Sequence, residues 1–134
     1  MPDLVFFYGT LMSGFRRPGR EGLDAHLQSV GRGWISAALF DLGIYPAAIP
    51  AGDARVWGEV HSMRDRDIVL TALDEIEGYR ASEPDTSLYT RAEVDVTFDN
   101  DRVERAWVYF YNAPLGGAQR IESGDYLQHL KVNR

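Results

Sequence analysis

Apolar residues along this chain recur mostly at strand spacing, and one segment carries them at helical spacing. The pattern opens with an unbroken run, Leu4 to Tyr8, short and rich in strand formers, which predicts a buried strand. It stops at Gly9, where the backbone angles open to glycine let the chain turn sharply and present the amides of Gly9, Thr10 and Leu11 to one point. The plainer alternative is a buried strand followed by an ordinary turn. Glu21 to Ser29 carries Leu23 and Leu27 four residues apart and predicts a short helix that Gly31 and Gly33 close off. Trp34 to Leu42 predicts a strand, Gly43-Ile44-Tyr45-Pro46 a turn, Ala47 to Pro50 a shorter apolar piece, and Pro50-Ala51-Gly52-Asp53 a second turn. Arg55 to Met63 follows as a strand with Val56, Gly58, Val60 and Ser62 on one face. Its other face, Arg55, Trp57, Glu59 and His61, is expected to be at best half-buried.

Arg64 to Glu77 is the helical segment, with Ile68, Val69, Ala72, Leu73 and Ile76 forming one apolar stripe and Gly78 placed to end it. Leu88 to Phe98 then alternates, with Leu88, Ala92, Val94, Val96 and Phe98 opposite Tyr89, Arg91, Glu93, Asp95 and Thr97. Asp99-Asn100-Asp101 reads as a hairpin turn into the aromatic-rich strand Val103 to Tyr111. Pro114-Leu115-Gly116-Gly117 ends that strand, and the tail, Gln119 to Arg134, holds a small apolar cluster at Tyr126, Leu127 and Leu130. Strands with one main helix between them and hairpin-length connections predict an α+β fold with a mixed, curled or barrel-like sheet. No repeat or linker interrupts the pattern, so residues 1–134 are expected to form a single domain.

Composition narrows the chemistry. A net charge of -6 argues against nucleic acid, whose phosphates most of this surface would repel, and favours a small-molecule substrate. The absence of cysteine rules out disulfides, thiolate metal sites and a cysteine nucleophile. No window approaches the ~20 apolar residues that span a bilayer, and Met1-Pro2-Asp3 lacks the basic start of a secretory signal, so no membrane partner and a cytoplasmic location are expected. The chain has no G-x-S-x-G, H-E-x-x-H or P-loop. Gly31-x-Gly33 is followed by Ser36 where a dinucleotide fingerprint needs a third glycine, and His26, His61 and His129 are far apart. Neither metal nor cofactor is expected. The loop from Ser13 to Arg20 carries three arginines, which serve either as a solvated face or as positive potential beside the Gly9 turn.

The remaining chemical signal lies at the end of the helical segment. Asp74-Glu75-Ile76-Glu77 places three carboxylates at the negative end of a helix dipole, where cations are favoured, so something must compensate. Both the dipole and Asp74, three residues away, disfavour the ionised form of Glu77, and partial burial would raise its pKa further. A carboxyl so shifted can take and return a proton near neutral pH. The other reading is an exposed acidic helix end.

Tyr8-Gly9-Thr10-Leu11 together with Leu73-Asp74-x-x-Glu77-Gly78-Tyr79 resembles the gamma-glutamylcyclotransferase-like family. Gly43-Ile44-Tyr45-Pro46-Ala47, Val56-Trp57-Gly58-Glu59-Val60, Trp107-Val108-Tyr109 and Ser123-Gly124-Asp125-Tyr126 are similar to its small bacterial members, in the same order, so the resemblance spans nearly the whole chain. It implies an α+β fold around a mixed β-barrel, with Tyr8, Gly9, Thr10 and Leu11 binding the glutamyl moiety and one glutamate acting in catalysis. By position in the motif that glutamate is Glu77, not Glu75. Tyr45, Tyr109 and Tyr126, each within a matching motif, are further candidates for the site. The implied reaction is intramolecular: the α-amino group of a γ-glutamyl amine or isopeptide attacks its own γ-carbonyl, closes 5-oxoproline and expels the amine. It needs no serine, cysteine or metal, only a proton shuttle, which the resemblance gives to Glu77 as general acid/base. A non-catalytic binding domain for a glutamyl-like or other small carboxylate ligand is the competing reading. The acid at the helix end favours the enzyme, because binding alone gives no reason to place it there.

Overall fold

The computed structural model describes residues 2–13, 15 and 17–132, with the side chain of Val132 excepted. Gly14 and Arg16 of the arginine-bearing loop, and Met1, Asn133 and Arg134, lie outside the described residues. The strands are β1 (Leu4–Phe7), β2 (Leu27–Asp41), β3 (Pro46–Met63), β4 (Tyr89–Phe98), β5 (Val103–Tyr111) and β6 (Gln119–Arg120); the helices are α1 (Arg66–Glu77) and α2 (Tyr126–Val132).

Five strands close on themselves in the order β3, β1, β5, β4, β2, with β2 pairing back onto β3, and β6 attaches to the end of β2. β1 and β5 are parallel, with Val5 opposite Trp107, and the remaining pairs are antiparallel. The expected α+β fold is therefore realised as a closed mixed barrel. Closure leaves none of the five strands with an unpaired edge along its whole length. Gly33 and Gly58 face each other across β2 and β3, and neither has room for a side chain: a Cβ on Gly33 would lie 2.8 Å from Val96 Cγ1, and one on Gly58 would meet the Phe7 carbonyl.

The departures from the sequence pattern come from non-local pairing. The helix expected over Glu21 to Ser29 is a short 3-10 segment, Glu21–His26, because Leu27 already pairs with Met63 in β2. Gly31 and Gly33 lie inside that strand instead of ending a helix. The turn expected at Pro50 to Asp53 does not end a strand either. The register jumps from Ser36–Arg55 to Ala37–Pro50, so residues 51–54 bulge out while β3 runs on. His61, expected on a half-buried face, is only 3% exposed, because the Phe7 ring packs against it at a tilt, centroids 5.3 Å apart, and Arg20 lies over Phe7. The buried face of α1 carries Val69, Leu70, Leu73 and Glu77, while Ile68 is 59% exposed. Tyr89, assigned to the polar face of its strand, is buried, and Leu88 lies outside the strand and is exposed. Among the described residues no helix is long and apolar enough to cross a membrane.

Candidate functional site

The end of β1 builds one wall of the site. Tyr8 is buried, and its hydroxyl donates to the Tyr109 carbonyl at 2.7 Å while accepting from the Ala48 amide at 3.4 Å. Burial, and next the negative charge of Glu77, push this phenol's pKa upward, so it stays neutral. Beyond it the chain turns: the Met12 amide donates to the Gly9 carbonyl at 3.0 Å, and Arg20 Nε donates to the Leu11 carbonyl at 2.9 Å. The Ser13 amide donates to Glu59 Oε1 at 2.7 Å. The loop is thus held through its carbonyls and its far end. The amides of Gly9, Thr10 and Leu11 have no partner among the described residues, and Gly9 and Leu11 are buried. Buried amides without partners are costly, so a ligand or water that accepts from them is favoured. Gly9 itself is needed for a different reason than the sequence suggested. It is not among the glycines with positive φ; instead a Cβ here would lie 2.7 Å from Pro46 Cγ.

The end of α1 builds the opposite wall. Gly78 takes a left-handed conformation at φ 68°, its amide donating to the Glu75 carbonyl at 3.3 Å while the Tyr79 amide reaches the Asp74 carbonyl at 2.8 Å. This paired closure makes Glu77 the last helical residue and turns its side chain inward. Glu77 is 7% exposed, whereas Glu75 lies at the surface. No hydrogen bond or ion pair joins the Glu77 carboxyl to another described residue. Burial raises its pKa to about 7, and the Arg17 guanidinium pulls in the opposite direction. The charge of Asp74, invoked from the sequence, is not what shifts it. Asp74 is itself engaged, accepting from the Tyr109 hydroxyl at 2.6 Å and from Arg91 Nη1 at 3.1 and 3.2 Å.

Between these walls lies a pocket of about 350 Å³, open mouth included. It brings together Tyr8, Gly9, Thr10, Leu11, Glu77, Tyr45 and Tyr109 from the sequence reading. Tyr126 is not part of it: on α2 it is buried against Phe15, ring centroids 6.0 Å apart. The sequence reading did not single out Tyr89, whose hydroxyl donates to the Pro46 carbonyl at 3.2 Å, or Pro46 itself. Arg17 was legible only as one of three arginines near the Gly9 turn. Its Nη1 donates to Thr10 Oγ1 at 2.7 Å, its Nη2 to the Ile76 carbonyl at 3.4 Å, and its guanidinium lies 5.6 Å from the centre of the Tyr45 ring. Among the described residues, Arg17 and Glu77 are the two charged ones lining the pocket. Unpaired amides at one side and a buried carboxyl at the other suit a ligand carrying both a carboxylate and an amine. Among the described residues no group of three or more His, Asp or Glu side chains is placed to hold a metal ion.

Comparison with known proteins gives a consistent picture. The family model described as "Gamma-glutamyl cyclotransferase, AIG2-like" matches residues 5–128. The gamma-glutamylcyclotransferase family protein YtfP of Escherichia coli (strain K12) is 32% identical over 128 residues, covering 95% of this chain and 98% of its own. The solution NMR structure of ytfP from Escherichia coli superposes with a TM-score of 0.63 at 27% identity, over 94% of this chain and 97% of that one. The crystal structure of an AIG2-like protein from Mus musculus superposes with a TM-score of 0.67 at 24% identity, over 92% and 88% of the two chains, a likeness of fold.

Proposed function

Because the chain belongs to the gamma-glutamyl cyclotransferase, AIG2-like family, we propose that it cyclises the glutamyl part of a γ-glutamyl amine or isopeptide to 5-oxoproline and releases the free amine. The observation that carries this reading is the buried Glu77 carboxyl, without a hydrogen-bonding partner, in the same pocket as three unpaired amides.

The substrate brings its own nucleophile, so the protein has three tasks. It holds the glutamyl chain folded with its amine against its γ-carbonyl, it shuttles a proton from that amine to the leaving nitrogen, and it stabilises one negative charge. Holding a well-oriented intramolecular pair contributes up to several kcal/mol of the barrier reduction. The Glu77 carboxylate takes a proton from the α-ammonium; the freed amine attacks the carbonyl carbon of the γ-glutamyl amide, and the new C–N bond closes the five-membered ring. Charge develops on the carbonyl oxygen, and the amides of Gly9, Thr10 and Leu11 are donors for that oxyanion or for the substrate's α-carboxylate. Protonated Glu77 then gives its proton to the leaving nitrogen as the original amide bond breaks, the second proton of the ring nitrogen passes to the released amine or to water, and the carboxylate is regenerated. A carboxyl with a pKa of about 7 is suited to both transfers near neutral pH. Tyr8 and Tyr109 serve as walls in this scheme, since their hydroxyls are occupied by the Tyr109 carbonyl and by Asp74.

The same pocket without turnover would make a binding domain for glutamyl-like carboxylates, and the inward acid at the helix end argues for the enzyme. The test is a panel of glutathione, γ-glutamyl amino acids, γ-glutamyl-ε-lysine and γ-glutamyl alkylamines, each assayed for 5-oxoproline. At least one member should release it, and donors acylated on the α-amine should be inert. Equal hydrolysis of blocked and free donors would make water the nucleophile and the protein an amidase. Binding of glutamate analogues without turnover of any donor would leave the binding domain.

A further inference from the structure

Of the described residues lining the pocket, all are buried except Thr10, Arg17 and Tyr45, which lie at its mouth. If the glutamyl half lies inward against Glu77 and the free amides, the leaving amine has to point outward between them. Arg17 is held there with donors to spare. A guanidinium has five N–H groups; one engages Thr10 Oγ1 and one makes the long contact to the Ile76 carbonyl, and the others have no partner among the described residues. Several other arginines of this acidic chain pair with a carboxylate, as Arg20 does with Asp24, Arg32 with Asp125, Arg91 with Asp74 and Arg105 with Asp95. Arg17 forms no salt bridge among the described residues; the acidic charge it acts on is that of Glu77 in the same pocket. The Tyr45 ring beneath it and the two hydrogen bonds orient the planar fork in advance, which lowers the entropy lost when it grips an anion.

We infer that Arg17 is the specificity-determining residue of the mouth, selecting γ-glutamyl compounds whose leaving amine carries a carboxylate beside the nitrogen over neutral or cationic amines. The inference rests on the cyclotransferase reading above and deepens it by naming the class of leaving group. Its chemistry is that of a fixed bidentate donor meeting a carboxylate, an interaction about twice as strong as a neutral hydrogen bond.

The test compares γ-glutamyl-alanine with γ-glutamyl-alaninamide, which differ only in the charge of the leaving group, and adds γ-glutamyl-1,2-diaminoethane as a cationic donor. The wild-type protein should favour the alanine donor over the alaninamide donor by ~10-fold or more in kcat/KM, with the cationic donor slowest. Arg17→Gln should bring the first ratio close to one, and Arg17→Lys should retain part of it. Effects of either substitution on Thr10, on the helix end or on Glu77 fall on both donors and cancel in the ratio. A ratio that survives Arg17→Gln overturns the inference, and so does a flat ratio in the wild type while 5-oxoproline is being formed. Should Arg17→Gln fail to fold, the charge order of the three donors in the wild type decides: a flat or reversed order overturns it. No 5-oxoproline from any donor is a different result, which removes the cyclotransferase reading itself.

Discussion

Arg17 donates to the carbonyl of Ile76, 59 residues away in sequence and the immediate neighbour of Glu77. The cation lining the pocket is thereby tied to the backbone that carries its carboxyl. The last turn of α1 has no basic residue of its own, so its negative end is met by a loop far away in sequence. The same guanidinium reaches Thr10 in the loop opposite, and one side chain spans both walls of the site.

Glu77 makes stability depend on pH in a definite direction. Its folded pKa, about 7, lies above the ordinary 4.5. Below pH 4.5 the carboxyl is protonated in both states and adds no pH-dependent cost. Between pH 4.5 and about 7 the folded state binds the extra proton, so stability falls as pH rises, by ~3 kcal/mol in all, and then levels off. Glu77→Gln should therefore gain relative to the wild type on going from pH 4 to pH 8, measured by urea unfolding. A constant gap between the two across that range would mean that Glu77 titrates normally.

The same substitution should lower kcat by ~100-fold or more while ligand affinity largely survives, since the shape is kept and the proton acceptor is lost. Wild-type kcat/KM should rise with pH through about 7 as the carboxylate forms. Glu75→Gln should have little effect, because Glu75 is exposed. An equal loss from the two substitutions would assign the chemistry to the wrong carboxylate.

Gly9→Ala places a Cβ 2.7 Å from Pro46 Cγ and 2.9 Å from Cδ, both lining neighbours of the pocket. The strain is steric, not conformational, and should push the loop and Pro46 apart. We expect a loss of ~1–3 kcal/mol in stability together with weakened binding of glutamate analogues, followed by thermal melting with and without ligand. Binding equal to that of the wild type would show that the close approach has no part in shaping the site.

Tyr109→Phe removes the 2.6 Å hydrogen bond to Asp74 and leaves the Arg91 pair in place. A bond to a charged group is worth ~1.5–3 kcal/mol when buried, and partial exposure of Asp74 puts the expected loss at ~1–2 kcal/mol. Because the hydroxyl serves Asp74 and not the substrate, KM should change little; a large rise in KM with unchanged melting would mean that the hydroxyl meets the ligand.

Gly78→Ala forces a side chain into the left-handed conformation at φ 68°, at a cost of ~1–2 kcal/mol. The nearest atom to the added Cβ is Leu88 Cβ at 3.4 Å, so conformation and not crowding sets the cost. The melting temperature should drop by a few degrees, with a further loss of activity if the last turn frays and Glu77 loses its place.

The helix with its glycine stop, the hairpin from β4 to β5 and the buried first strand are all read correctly along the chain, because hydrophobic period and turn residues act over a few neighbours. The acidic helix end stood out for the same reason, since three carboxylates ahead of a terminating glycine are anomalous without any knowledge of the fold, but the choice of Glu77 over Glu75 came from its place in the family motif. Tertiary structure alone decided the remainder. Residues 27–33 became strand because 58–63 pair with them, and His61 and Tyr89 went inside because loops and rings from elsewhere covered them. Glu77 owes its high pKa to burial, and the balancing charge comes from Arg17, a residue that no local pattern distinguished from its neighbouring arginines. Periodicity records how each segment divides its apolar from its polar positions. Which partner covers a face, and which distant charge meets a given carboxyl, depends on barrel closure, a property of pairings between residues far apart in the chain.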